Sequence, residues 1–225
     1  MFITFEGIEG SGKSLQIGLA ESHLKSRGIE CVVTREPGGT EFGLAVRQVL
    51  LRIGGAPRDP MSELLLYLAD RYQHLREVIE PALARGLTVL SDRYHDATRA
   101  YQGAARGIPP DTIEAMTRVL DIPEPGGTIL LDLDPAVGLA RARKRNASDA
   151  ASGAEGRFEA EALFFHEAVR RAYLDLACAS PDRIRIVDAA GTPEEVFARI
   201  EPVLNFWLER ERGSRRSSFP VRDRR

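Results

Sequence analysis

Eight residues near the start of the chain, Gly7-Ile8-Glu9-Gly10-Ser11-Gly12-Lys13-Ser14, follow the spacing G-x-x-x-x-G-K-[ST]. That spacing suits phosphate. The glycines let backbone N–H groups turn inward onto phosphate oxygens, and a helix opening behind them adds partial positive charge. Lys13 then reaches the β- and γ-phosphates, and the Ser14 hydroxyl is a hard oxygen donor for Mg²⁺. Only Lys13, Lys25 and Lys144 are lysines among 31 basic residues, so a lysine here stands against an arginine-rich background. The bland alternative is a glycine-rich turn with a solvated lysine. On average composition a chance match in a chain this long is rarer than about one in a hundred. The loop indicates a phosphate-rich donor but not the reaction. No N-K-x-D guanine reader follows it; Arg143-Lys144-Arg145-Asn146 is no substitute.

Two further segments stand where strands are expected to end, the usual place for sites in parallel sheets. One is Thr34-Arg35-Glu36-Pro37-Gly38-Gly39-Thr40. The other is Asp92-Arg93-Tyr94, continued through Thr98, Tyr101 and Gln102 to Gly103. If the acceptor is itself a phosphate, two polyanions must approach within bonding range. Fixed cations beyond Lys13 are then required, and arginine forks match phosphate oxygens. Arg35 and Arg93 are placed to serve. Such an acceptor is already ionised, so positioning and charge stabilisation suffice without a general base. A neutral hydroxyl acceptor would need a carboxylate base, for which Glu36 is the strand-end candidate. Tyr67 and Arg71, four apart, share one helix face. They suit a planar base, Tyr67 on its face and Arg71 at its edge; a core aromatic beside a surface charge is the competing reading.

These residues need a scaffold. Short apolar runs at 1–5, 31–34, 87–91, 128–133 and 183–187 predict five strands. Helical spacing is predicted over 43–53, 61–85, 111–120, 135–145 and 159–179. Leu15, Leu19, Ala20 and Leu24 make a further stripe that stops at Gly28. Leu64, Leu65, Leu68 and Leu75 line the 61–85 helix. Thr192-Pro193-Glu194-Glu195 has a capping-box pattern before a last stripe of Val196, Ile200, Val203, Leu204 and Trp207. Strands alternating with helices predict an α/β fold with a parallel sheet covered on both faces. Residues 1–209 read as one domain. The small, polar stretch 146–156 marks a loop or lid, set at about 143–158. His23, His74, His95 and His166 lack metal-ligand spacing and read as structural.

The 225 residues are 43% hydrophobic and 28% charged, ordinary globular composition. No apolar run reaches the ~18–20 residues of a membrane helix. The start MFITFEG lacks a basic-apolar signal peptide. Cys31 and Cys178 have no metal or disulfide pattern, and are expected as buried thiols in a reducing cytoplasm. Residues 210–225 hold seven Arg against Glu211 and Asp223, a tail expected to be disordered. With a net charge of −2 overall, residues 1–209 carry −7, which argues against a general nucleic-acid binder.

The combination of GIEGSGKS, TREPGGT, the Tyr67/Arg71 pair and DRYHDATRAYQG resembles the thymidylate kinases, from Phe2 to about Arg210. The resemblance implies a P-loop NTPase fold with a five-stranded parallel sheet and a short lid, usually a homodimer. It implies ATP and Mg²⁺ as cofactors and dTMP as acceptor, giving dTDP. Alternatives are another nucleotide or nucleoside kinase, or a nucleotide-gated binding protein without transfer chemistry. By resemblance, Gly7 through Leu15 hold ATP, with Lys13 catalytic, Ser14 and Asp92 at the metal, and Arg145 near adenine. Arg35 and Arg93 hold the dTMP phosphate, Glu9 lies near the acceptor sugar and phosphate, and Arg93 and Glu9 count with Lys13 as catalytic. Tyr67 stacks on thymine, Arg71 and Thr98 reach its edge, Tyr101 crowds the sugar 2′ position, and Gln102 joins this substrate set. The P-loop contains no arginine, so the catalytic cation is expected from the lid, with Arg157 the first candidate and Arg143 and Arg145 behind it. Family lids commonly read D-R-[FI]-E; here Gly156-Arg157-Phe158-Glu159 lacks the Asp.

Overall fold

A computed structural model describes residues 1–53, 58–148 and 157–217. Five strands, β1 (Phe2–Glu6), β2 (Cys31–Arg35), β3 (Thr88–Asp92), β4 (Gly127–Asp132) and β5 (Ile184–Asp188), form one parallel sheet in the order β2-β3-β1-β4-β5. All five expected strands are present, with ends within one residue of expectation. Residues in β1 and β4 are buried almost throughout, while β2 and β5 are half-exposed edges. The central strands therefore read as continuous apolar runs.

Among the described residues the α-helices are α1 (Lys13–Ser26), α2 (Glu41–Leu51), α3 (Pro60–His74), α4 (Glu80–Ala84), α5 (His95–Thr98), α6 (Pro110–Val119), α7 (Pro135–Ser148), α8 (Leu163–Ala179) and α9 (Pro193–Ser217). The single rod expected over 61–85 is α3 and α4 joined by a π-helical turn, Leu75–Ile79. The stretch after β3, which apolar spacing leaves without an element, is helical: α5 runs into a π-turn, Arg99–Ala105. Such turns displace side chains from the regular helical path, and this one carries Tyr101 and Gln102. The capping box holds: Thr192 N–H donates to Glu195 Oε2 at 2.8 Å, and Glu195 N–H to Thr192 Oγ1 at 3.3 Å.

Two cores flank the sheet. Ile3, Phe5 and Leu90 pack with Leu24 of α1 and Trp207 of α9 on one side. Phe2 and Val89 pack with Leu64, Leu75 and Ile79 on the other. Alternate residues of β1 thus feed opposite faces. Trp207 lies flat on β4, where a Cβ at Gly127 would meet its ring at 2.8 Å.

Several expectations shift. Leu15 is 53% exposed, and the buried face of α1 is instead Gln16, Ile17, Ala20 and Leu24. Leu65 is exposed as well. Cys178 is exposed and Cys31 half-buried, so neither is the buried thiol expected. Helix α9 continues to Ser217, past the boundary set at 209, so the start of the expected disordered tail is helical. Residues 218–225 and the lid stretch 149–156 lie outside the described residues.

The register matters most for function. Arg35 pairs with Asp92, and Asp92 with Phe5, so three segments far apart in sequence end at one edge of the sheet.

Candidate active site

The carboxyl edge of the sheet opens into a cavity of about 520 Å³. Its lining joins the phosphate loop (Glu9, Gly10, Gly12, Lys13, Ser14) to Arg35, Asp92 and Arg93 from the strand ends and to Tyr67, Arg71, Thr98, Tyr101 and Gln102 from α3, α5 and the turn after it. Arg145, Phe158 and Glu159 close it from the lid side. Among the described residues six cationic side chains line it against four carboxylates, a balance that favours anions.

The loop needs its glycines. Gly10 and Gly12 have φ of +74° and +93°, a region glycine enters without strain. A Cβ on Gly10 would also lie 2.0 Å from the Gly138 carbonyl oxygen, so α7 rests backbone to backbone on the loop. Gly12 precedes α1, whose first residues, Lys13 and Ser14, line the cavity and whose first-turn N–H groups have no intrahelical partner. The Lys13 ammonium donates to the carbonyls of Gly7 (3.1 Å) and Ile8 (2.9 Å). Burial, helped by Arg93 and opposed by Asp92 and Glu9, pushes its pKa down to about 8. Ser14 Oγ donates to Asp92 Oδ2 at 2.8 Å.

Arg93 follows β3 with φ of +70°, uncommon outside glycine and frequent at functional sites. This turn sends its guanidinium back over β1. It donates to the Gly7 carbonyl (3.0 Å), to Glu9 Oε1 (2.9 Å) and to the hydroxyls of Tyr101 (3.0 Å) and Tyr173 (3.2 Å). Tyr101 also donates to Glu9 Oε1 at 2.7 Å. Burial alone would raise the Glu9 pKa, but Arg93, with His166, Lys13 and Tyr101, holds it at about 2. Below this cluster Glu6 accepts from Tyr94 N–H and from the Tyr173 hydroxyl. Burial raises its pKa to about 7. Arg35 is exposed and lines the same cavity.

Arg71 is only 1% exposed. Its three nitrogens donate to Glu36 Oε2 (2.7 Å), Thr98 Oγ1 (2.7 Å) and the Tyr94 carbonyl (2.9 Å). Glu36 Oε1 meets His74 Nδ1 at 2.8 Å, and His74 Nε2 meets Thr34 Oγ1 at 2.6 Å. Asp70 accepts the Gly38 N–H at 3.0 Å; burial first, then Glu36, raises its pKa to about 6. Arg71 is thus a buried, pre-aligned fork that presents an edge to the cavity, and Glu36 is its anchor rather than a free base. Tyr67 lines the wall one turn before it.

The lid arginines separate. Arg145 lines the cavity and donates to Glu159 Oε1 at 3.1 Å. Arg157 does not line it. It donates to the Leu50 carbonyl at 3.0 Å and to Glu63 Oε2, and lies over the Phe158 ring. Glu63 also accepts from Gln102 at 2.9 Å. The expected catalytic cation is therefore tethered to the Leu50 carbonyl and Glu63 rather than lining the cavity. Leu15, expected at ATP, is on the outer face of α1 and lines no part of the cavity.

Sequence reasoning missed Glu6, Glu63, Asp70, His74, His166 and Tyr173. One signal was present: Glu63, Tyr67, Asp70, Arg71 and His74 recur at three- and four-residue spacing, a polar stripe that α3 buries. Tyr173 and His166 had none, because they reach the site from α8, more than 150 residues along the chain from Glu6 and Glu9.

A family model described as thymidylate kinase matches residues 5–200. The thymidylate kinase of Oleidesulfovibrio alaskensis is 48% identical over 204 residues, covering 89% of this chain and 95% of that protein. That of Desulforapulum autotrophicum is 51% identical over 207 residues, 91% of each. The crystal structure of thymidylate kinase from Ehrlichia chaffeensis superposes with a TM-score of 0.71 at 31% identity, covering 91% of this chain and 98% of that one.

Proposed function

The chain belongs to the thymidylate kinase family, and from that premise we propose that its cavity transfers the ATP γ-phosphoryl group in line to the 5′-phosphate of dTMP. One observation carries the reading. Arg93 donates to the carbonyl of Gly7, so the acceptor-side cation touches the loop that cradles the donor. With Arg35 and Lys13 on the same walls, two polyanions can be brought together while their repulsion is offset.

In this reading the loop amides and Lys13 hold the donor phosphates. Arg35 and Arg93 hold the acceptor phosphate, Glu9 and Tyr101 fix Arg93, and Tyr101 bounds the sugar. Tyr67 stacks on the base and Arg71 with Thr98 addresses its edge. No residue need remove a proton, because the acceptor oxygen is already ionised. Ser14 Oγ and Asp92 Oδ2 are hard oxygen donors at the loop edge, a pair that fits Mg²⁺. When bound, the ion neutralises and aligns the β- and γ-phosphates. Among the described residues no group of three or more His, Cys, Asp or Glu could by itself hold a metal ion.

Three finer points belong to the same proposal. Residues 1–209 act as one catalytic domain with a lid at about 143–158. The enzyme works as a homodimer through the exposed apolar face of α2, α3 and α6, where Val119 is 85% exposed beside Phe42, Leu65 and Tyr72. We assign it to the cytoplasm on its two free thiols; no described helix is long and apolar enough to cross a membrane.

A coupled ADP-release assay across dTMP, dUMP, dCMP, dGMP and thymidine tests the reading. ADP formation strictly dependent on a thymine monophosphate is expected. Preference for free thymidine, or ADP formation indifferent to acceptor, overturns it.

A further inference from the structure

Glu9 has two oxygens with different company. Oε1 takes Arg93 and Tyr101. Oε2 is buried, without an aligned hydrogen-bond partner, and faces Nδ1 of His166 at 3.2 Å. His166, on α8, is fully buried, and its Nδ1 likewise has no other partner. The opposite ring nitrogen, Nε2, lies 3.0 Å from the Phe158 carbonyl oxygen. Phe158 opens the 3₁₀ turn Phe158–Ala160, the described end of the lid, and lines the cavity beside Arg145 and Glu159. One imidazole ring therefore spans from the phosphate loop to the lid turn.

The surroundings make the ring a strut. Phe165, the preceding residue of α8, stacks on Phe158 with ring centroids 6.1 Å apart and meets the edge of Tyr101. Tyr101 meets Phe158 edge to face at 5.2 Å. The lid turn, the start of α8 and the residue that bounds the sugar are one packed unit. The two nitrogens of one imidazole reach both neighbours at once, a carboxylate oxygen and a carbonyl oxygen, and the neutral ring donates to one of them. An amide of Asn length reaches only one.

We propose that His166 is a positioning residue that fixes Glu9, and through it Arg93 and Tyr101, in register with the lid turn. It touches no reacting atom. This inference rests on the cavity being a phosphoryl-transfer site with Arg93 on the acceptor side.

The test is a double-mutant cycle in the full chain, with His166→Phe and Glu9→Gln alone and combined, read as kcat and as KM for dTMP and ATP separately. His166→Phe is expected to raise KM for dTMP about tenfold and to leave KM for ATP within about twofold, the size of coupling seen between residues of one network. The combined variant is expected to lose no more kcat/KM than Glu9→Gln alone. His166→Asn, which keeps a polar group in the buried site should Phe not fold, is expected to raise KM for dTMP by an intermediate factor. Additive losses in the cycle, or a lowered unfolding temperature with KM for dTMP unchanged in either variant, overturn the role. A native chain that makes no ADP with dTMP overturns the phosphoryl-transfer reading instead.

Discussion

Lys13 combines a buried ammonium with a pKa lowered to about 8, first by burial and then by Arg93. A bound triphosphate adds negative charge beside it and must move that pKa back up. Below about pH 8 the ammonium is already protonated, so binding takes up little. Between about 8 and the ordinary value of 10.5, the free protein is deprotonated and the complex is not. A non-hydrolysable ATP analogue is therefore expected to take up a proton at pH 9, and its affinity to fall as pH rises through this window. Calorimetry in buffers of different ionisation enthalpy measures the uptake; none at pH 9 contradicts the assignment. Arg93→Ala is expected to weaken dTMP far more than the ATP analogue, because the guanidinium faces Glu9 and Tyr101 rather than the α1 terminus; calorimetry giving the reverse order would exchange the donor and acceptor sides. Arg157→Ala separates two roles. As the lid cation it lowers kcat by up to about 10³. An unchanged kcat leaves Arg157 as the Glu63 tether seen here and moves the role to Arg145. Lys13, Ser14 and Arg93 were legible in sequence because their chemistry is carried by a local motif or a strand end. The grip of Glu36 on Arg71 was not: the two lie 35 residues apart, and a helical arginine reads as solvated until its partner is known.

At the scale of elements, α7 depends on one small residue. A Cβ on Gly138 would lie 2.5 Å from the Glu9 carbonyl oxygen and 3.0 Å from Ile8. Neither loop backbone nor buried Ile8 can yield cheaply. Gly138→Ala is therefore expected to cost about 1–3 kcal/mol in urea unfolding and to lower kcat/KM, since the displaced loop carries Lys13. Unfolding and turnover both at native levels would show that α7 does not set the loop. The central strands could be read in advance because burial on both faces makes them largely apolar. The helices were harder where polar groups are buried. α3 turns Glu63, Asp70, Arg71 and His74 inward while leaving Leu65 and Tyr72 exposed, the inverse of the pattern that amphipathicity leads one to expect. The π-turn that brings Tyr101 and Gln102 to the cavity has no apolar period at all, so its place after a strand end marked it as a site segment but not as a helix.

Across the whole molecule, α3 has two faces with different duties. One carries Tyr67 and Arg71 into the cavity; the other presents Leu65, Leu68, Ala69 and Tyr72, which with Phe42 of α2 and Val119 of α6 form a continuous apolar groove. Exposed apolar surface of this kind is seldom left to water. If a second copy covers it, Leu65→Glu places an unpaired carboxylate in the seam, where desolvation opposes association. The substituted residue is already exposed in one chain, so the fold of the isolated subunit should change by less than about 0.5 kcal/mol. Sedimentation velocity is expected to show a dimer for the native chain and a monomer for the variant. Because the backbone that the seam holds also holds Arg71, the monomer is further expected to show a raised KM for dTMP, with KM for ATP nearly constant. A variant that still sediments as a dimer would place the subunit contact elsewhere. A monomer with native KM for dTMP would show that the Glu36–Arg71–Thr98 network keeps α3 in place without help from across the interface.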